Sequence, residues 1–190
     1  MRTLGRVTIT FGIIIFALGL VGYFLYHNLG FNRYEFHGKN APIPTELHPI
    51  VEEKAKLLVE QAKQQGITII ITESIRSFDR QNELYAQGRT KEGNIVTYAQ
   101  AGESYHNYGL AIDFAIMDSD GNLTWDMQYD GNNNTIPDWD EVVAIAKELG
   151  FEWGGDWTRF KDYPHLQMTF GLSIQQLKLG FRPKNEMPTE

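Results

Sequence analysis

Residues 104–117 read SYHNYGLAIDFAIM, and the fold is decided by how this stretch is parsed. Leu110, Ile112, Phe114 and Ile116 fall on one side of an alternating pattern, with Ala111, Asp113 and Ala115 on the other. A period of two is the signature of a β-strand with one face in a core. Gly109 lets the chain turn from the preceding loop into that strand. Asp113 is the residue that does not belong in such a run. A carboxylate among apolar neighbours costs several kcal/mol, of order 2–7, unless it is paired or bound to a cation. The flanking alanines leave room above it for a bound group. His106 lies seven residues earlier, so a purely structural reading pairs Asp113 with Arg76 and leaves His106 as a hydrogen-bonded loop histidine.

His165 supplies a third candidate. It opens HLQM after Asp162-Tyr163-Pro164, and a strand there puts His165 and Gln167 on one face while Leu166 and Met168 enter the core. The chain has no cysteine, which removes disulfides, thiolate catalysis and cysteine-based metal sites. Any metal must sit on His, Asp or Glu. His106, Asp113 and His165 on adjacent strands form a three-ligand zinc set whose fourth position is open to water, the mark of a catalytic rather than a structural site. Zinc lowers the pKa of such a water to about 7. A nearby carboxylate must then accept its proton, and Asp162, three residues before a ligand, is in position to do so.

Around these motifs the pattern predicts a helix over residues 47–65 ended by Gly66, a β-branched strand over 67–72, and a helix over 79–87 capped by Ser77 or Asp79. Beyond the 110–117 strand it predicts a turn at 118–122, a return strand at 123–126, a helix over 140–149, and short strands at 151–153 and 165–169. The fold class is α+β: a small antiparallel sheet with helices on one side. No internal repeat or low-complexity tract is present, which excludes a solenoid or a tandem wall-binding array.

The chain has 190 residues, 42% hydrophobic and 22% charged, enough for one core and an appendage. Lysine and arginine number 17 against 24 acids, and no basic stripe exists, so nucleic acid is not an expected partner. Residues 1–40 hold four bases and one acid, so the remainder is more acidic still, at −10. Residues 7–26 form 20 consecutive uncharged, mostly apolar positions, long enough to cross a hydrocarbon layer of about 30 Å. The small-residue pattern at Ala17-Leu18-Gly19 lies inside this run rather than beyond it, which favours an uncleaved anchor over a cleaved signal. The expected organisation is a membrane anchor or signal at 1–27, a linker at 28–45, a catalytic domain at 46–182 and a tail at 183–190. The catalytic domain is expected outside the cell membrane as a monomer, or secreted if the segment is removed.

The segment SYHNYGLAID resembles the S-x-H-x-x-G-x-A-x-D motif of the zinc D-alanyl-D-alanine carboxypeptidases and related cell-wall endopeptidases, and DYPHLQ resembles their acid-x-x-H motif. The likeness extends to residues 72–77, TESIRS, and to FEWGGDW at 151–157, so it covers nearly all of 45–170. The segment from Gln81 to Tyr85 and the approach GRTKEGNIVTYAQAGESYH look most like the L-alanyl-D-glutamate endopeptidases of bacilli. The resemblance implies a fold like that of D-Ala-D-Ala peptidases and the Hedgehog signalling domain, and hydrolysis of peptidoglycan stem peptides at the L-Ala-D-Glu bond. D-Ala-D-Ala cleavage and a non-catalytic zinc-containing binding module are the alternatives. It also implies that Arg76 binds a substrate carboxylate or the developing oxyanion. Asp162 stands where many members carry Glu, and phage endolysins of the family share the Asp.

Ser104, at the head of the first motif, and Trp157 are candidates to touch substrate. Residues 130–141, DGNNNTIPDWDE, carry oxygen donors at positions 1, 3, 5, 9 and 12 of a calcium loop, with Thr135 where the turn wants glycine. The alternative for that loop is a capping arrangement, with Asp138 as cap and Glu141 completing a capping box.

Overall fold

A computed structural model describes residues 15–24 and 33–185. Residues 15–24 form a helix, α1. Ten residues at 1.5 Å each rise about 15 Å, half of a hydrocarbon layer. No helix among the described residues is long and apolar enough to cross a membrane, and the rest of the expected 7–26 segment lies outside them.

The remaining elements run β1 (Tyr34–Phe36), α2 (Pro49–Gln64), β2 (Thr68–Glu73), α3 (Phe78–Ala86), β3 (Ala111–Met117), β4 (Leu123–Thr124), α4 (Asp138–Glu148), β5 (Glu152–Trp153), β6 (His165–Gln167), α5 (Ile174–Leu179) and β7 (Phe181–Pro183). The main sheet is antiparallel in the order β2-β3-β6-β5, with β4 also pairing β3, so the strand that carries Asp113 is central. Its apolar side is fully buried: Leu110, Ile112, Phe114 and Ile116 share one core cluster with Leu58 and Ala62 of α2 and with Trp139 and Val142 of α4, where the Phe114 and Trp139 rings lie 4.6 Å apart. The α+β expectation holds, with α2 and α4 on the core face of the sheet. That leaves the opposite side of β3 for function.

Three elements, β1, β7 and α5, stand outside the sequence reading. β1 lies inside the stretch read as linker and pairs with β7, joining the two ends of the domain in a second, two-stranded sheet. α5 is a six-residue helix with a capping box on Ser173 and Gln176. Strands of three residues and a helix under two turns give too few repeats for periodicity to register.

The 130–141 loop corrects two expectations. Asp130 accepts backbone N–H groups from Asn134 and Thr135, Asp138 accepts from Gly131, and Glu141 accepts from the amides of Asn132 and Asn134. The oxygens proposed for calcium are therefore satisfied by the loop's own donors, and the described residues bring together no metal-sized group there. Nor is there a capping box: α4 starts one residue after Pro137, with no side-chain cap.

Candidate active site

The strand register assembles the site. Asp113 on β3 lies directly opposite His165 on β6 and opposite Glu73 on β2. An irregularity between Ile71 and Glu73 makes the second pairing, since regular alternation would have set Thr72 against Asp113 and turned Glu73 toward the core. Three polar groups thus share one row across the face of the sheet. His106 arrives from a 3₁₀ turn, Tyr105–Tyr108, capped by Ser104 and closed by Gly109 in the left-handed region. A Cβ on Gly109 would come within 2.5 Å of the Glu46 carbonyl oxygen, so the turn depends on glycine twice, for φ and for space.

His106 Nε2 lies 3.1 Å from Asp113 Oδ1 and 3.1 Å from His165 Nδ1, and His165 Nδ1 lies 3.2 Å from Asp113 Oδ1. The three atoms form a nearly equilateral triangle. Ligands at about 2.0–2.1 Å from a tetrahedral metal are separated by about 3.3 Å, so the triangle fits one face of such a coordination sphere. His106 Nδ1 stands 2.7 Å from the Ser74 carbonyl oxygen, which can only accept, so Nδ1 carries the proton and Nε2 offers its lone pair inward. Both histidines are buried.

Arg76 binds the row together. Its Nη2 donates to Glu73 Oε2 and to Asp113 Oδ2, the latter at 3.0 Å, and its Nη1 donates to Gln81 Oε1 at 3.1 Å. One guanidinium lies between two carboxylates that would otherwise face each other across neighbouring strands. The structural pairing of Arg76 with Asp113 and the clustering of Asp113 with the histidines thus occur together, one on each carboxylate oxygen. Gln81 is fully buried and donates to the Ala99 carbonyl, and Asn107 donates to the Arg76 carbonyl. Neither was singled out from the sequence as a site residue, because a lone amide carries no periodic or spacing signal.

Burial opposes charge on Asp113, but the two histidines against it outweigh burial and hold the carboxyl well below the usual range. Burial lowers the His165 pKa while Asp113 raises it, and the second effect wins. Asp162 behaves in the opposite way. Burial, reinforced by the negative charge of Asp113, pushes its carboxyl up. Asp162 is held by a hydrogen bond from its N–H to the Gly154 carbonyl, and its own carbonyl accepts from His165 N–H, so base candidate and ligand candidate share one turn.

Arg76, His106, Asp162 and His165 line a cleft of about 330 Å³, whose walls include Ser104, Tyr98, Phe160 and Trp157. The Trp157 ring is 5.1 Å from that of His165, and Tyr98 meets Phe160 edge-on at 5.3 Å. Ser104 is in the first place a cap, accepting from His106 N–H at 3.4 Å. A depression of similar size, about 350 Å³, lies between residues 41–49 and β7. None of the three triangle residues lines it, and among the described residues it gathers no comparable set of groups.

An open three-ligand triangle on a sheet face, with a raised carboxyl group at its edge, is the arrangement of a metal-dependent hydrolase. A family model described as D-alanyl-D-alanine carboxypeptidase matches residues 97–168, the span from the cleft wall to β6. The peptidoglycan L-alanyl-D-glutamate endopeptidase CwlK of Bacillus subtilis (strain 168) is 64% identical over 140 residues, 72% of this chain and 84% of that protein. The L-alanyl-D-glutamate peptidase of Listeria phage A118 is 34% identical over 116 residues, 61% of this chain and 36% of that protein. Among solved structures, the L-Ala D-Glu endopeptidase ChiX of Serratia marcescens matches with a TM-score of 0.46 at 28% identity, over 65% of this chain and 81% of that one. The chain belongs to the M15 peptidase family.

Proposed function

We propose that the domain is a zinc peptidase that cuts peptidoglycan stem peptides between L-alanine and D-glutamate. The likeness to CwlK over most of that protein's length carries the choice of bond. The triangle of His106, Asp113 and His165 supports the chemistry, because two imidazoles and one carboxylate are a zinc-type donor set. When bound, zinc supplies Lewis acidity at the scissile carbonyl and lowers the pKa of a water molecule to about 7.

Asp162 takes the proton of the attacking water and returns it to the leaving amine, so that one C–O bond forms, one C–N bond breaks and the proton count closes. Its raised pKa suits a group that must both accept and release. Arg76 has committed Nη2 to Glu73 and Asp113 and one N–H of Nη1 to Gln81, which leaves the second Nη1 proton and the unpartnered Nε–H, and the former serves the substrate. It reads the free α-carboxylate of D-glutamate, whose γ-carboxyl continues the chain. Ser104 and Trp157 border the bound peptide. The apolar run at 7–26 supports delivery of the domain to the outer face of the cell membrane, within reach of the wall.

The family model's description favours a second reading, removal of terminal D-alanine. Digestion of purified muropeptides followed by mass spectrometry separates the two. A new D-glutamate amino terminus is expected, and release of free D-alanine in its place would reject the endopeptidase in favour of the carboxypeptidase.

A further inference from the structure

Behind His165 runs a chain of hydrogen bonds that leaves the cleft and ends at the edge of the sheet. His165 Nε2 is 3.0 Å from Gln167 Oε1, Gln167 Nε2 donates to Glu152 Oε2 at 2.9 Å, and Thr169 Oγ1 donates to Glu152 Oε1 at 2.8 Å. The strand register holds it in place: Glu152 on β5 lies directly opposite Gln167 on β6, and Gln167 is two residues beyond His165 on the same face. Gln167 is buried, whereas Glu152 is exposed.

The direction of this chain is not free. A carboxylate only accepts, so the Gln167 amide must turn its NH₂ toward Glu152. Its carbonyl oxygen then faces His165, and a carbonyl also only accepts. Nε2 of His165 must therefore carry the proton, and the lone pair is left on Nδ1, the atom that points into the triangle. His106 reaches the same end by the opposite nitrogen and a backbone carbonyl, whereas His165 depends on a side chain that a single substitution can reverse.

We propose that Glu152, acting through Gln167, is a positioning residue that fixes the tautomer and ring orientation of His165 and so sets the affinity of the metal centre. The inference rests on the reading of His106, Asp113 and His165 as the zinc site. Glu152→Lys tests it, since an ammonium only donates. Gln167 would flip its oxygen toward the introduced ammonium and its NH₂ toward His165, removing the acceptor for Nε2–H. No ligand is touched, and a charged side chain still sits at an exposed position.

Two measurements are made on purified protein: zinc affinity by competition with a chelator, and ¹⁵N NMR of the His165 imidazole at saturating zinc. In the wild type the imidazole proton is expected on Nε2 and slow to exchange. In Glu152→Lys zinc binding is expected to weaken about 10–100-fold, with the imidazole proton exchanging fast. Unchanged affinity in Glu152→Lys, or a wild-type proton on Nδ1, would overturn the proposal. Weaker binding with a still-protected Nε2–H would overturn it as well, because it would reduce the effect to through-space charge. Failure of the underlying site has a different signature, namely a wild type that binds no zinc or a His106→Ala variant that binds it undiminished.

Discussion

At Asp162 the pKa is raised because burial disfavours the charged form and Asp113 adds like-charge repulsion. A base must be deprotonated to act, so peptidase activity is expected to fall on the acid side as Asp162 takes up its proton, and a rate–pH profile would check it. Asp162→Asn is expected to keep zinc and fold and to lose about 10²–10⁴-fold in turnover, and full turnover in the variant would reassign Asp162 to a supporting role. Arg76→Met attacks the structure instead. It strands Glu73 and Asp113 face to face without their shared cation, and urea unfolding should show a loss on the order of 3 kcal/mol. Asp113, His106 and His165 were legible because an acid in an apolar strand and a histidine heading another cannot be explained by packing. Glu152 and Gln81 were not, since an exposed acid or a single amide is ordinary in any sequence and gains meaning only through the strand opposite.

Two backbone devices hold the elements in working relation. Gly154, between β5 and the turn that bears Asp162, approaches so closely that a Cβ there would lie 2.4 Å from the Asp162 carbonyl oxygen and 3.1 Å from the Cβ of His165. Gly154→Ala must push that turn away from β6. A loss of about 1–3 kcal/mol is expected, together with weaker zinc binding, and titration calorimetry with zinc would check the second effect. Thr135 shows the reverse, a β-branched residue held at φ +75° with its N–H bonded to Asp130. A left-handed L-residue costs about 1–2 kcal/mol and glycine returns part of that as lost chain entropy, so Thr135→Gly is expected to raise the melting temperature by about 2–4 °C. The longer elements were readable from period and caps, including the Ser77 cap of α3, which accepts from Arg80 N–H. The spacing at 130–141 misled because a run of Asn and Asp satisfies a calcium template and a self-bonded loop equally well, and only geometry distinguishes them.

Across the whole molecule, the β1–β7 pairing and His48 fasten both ends of the domain to the core. His48 precedes α2, its Nε2 lies 3.2 Å from the Lys184 carbonyl oxygen, its ring is 4.9 Å from that of Phe170, and its Nδ1 makes no hydrogen bond. Burial lowers its pKa, and the carbonyls of Lys184 and Pro183 offset only part of that. In the unfolded chain the same imidazole titrates near 6.5. Between these two values the unfolded state binds the extra proton, so unfolding is favoured as pH falls and the contribution of neutral His48 to stability is complete only above about 6.5. Other groups also titrate in acid, Asp113 among them, so the wild-type curve alone does not isolate the effect. The difference does. His48→Gln keeps a donor for the Lys184 carbonyl and cannot be protonated, so its stability relative to the wild type is expected to improve steadily as pH falls below 6.5 and to level off above it. Parallel stability curves for the two proteins across pH 5–8 would show that protonation of His48 contributes nothing to the acid sensitivity.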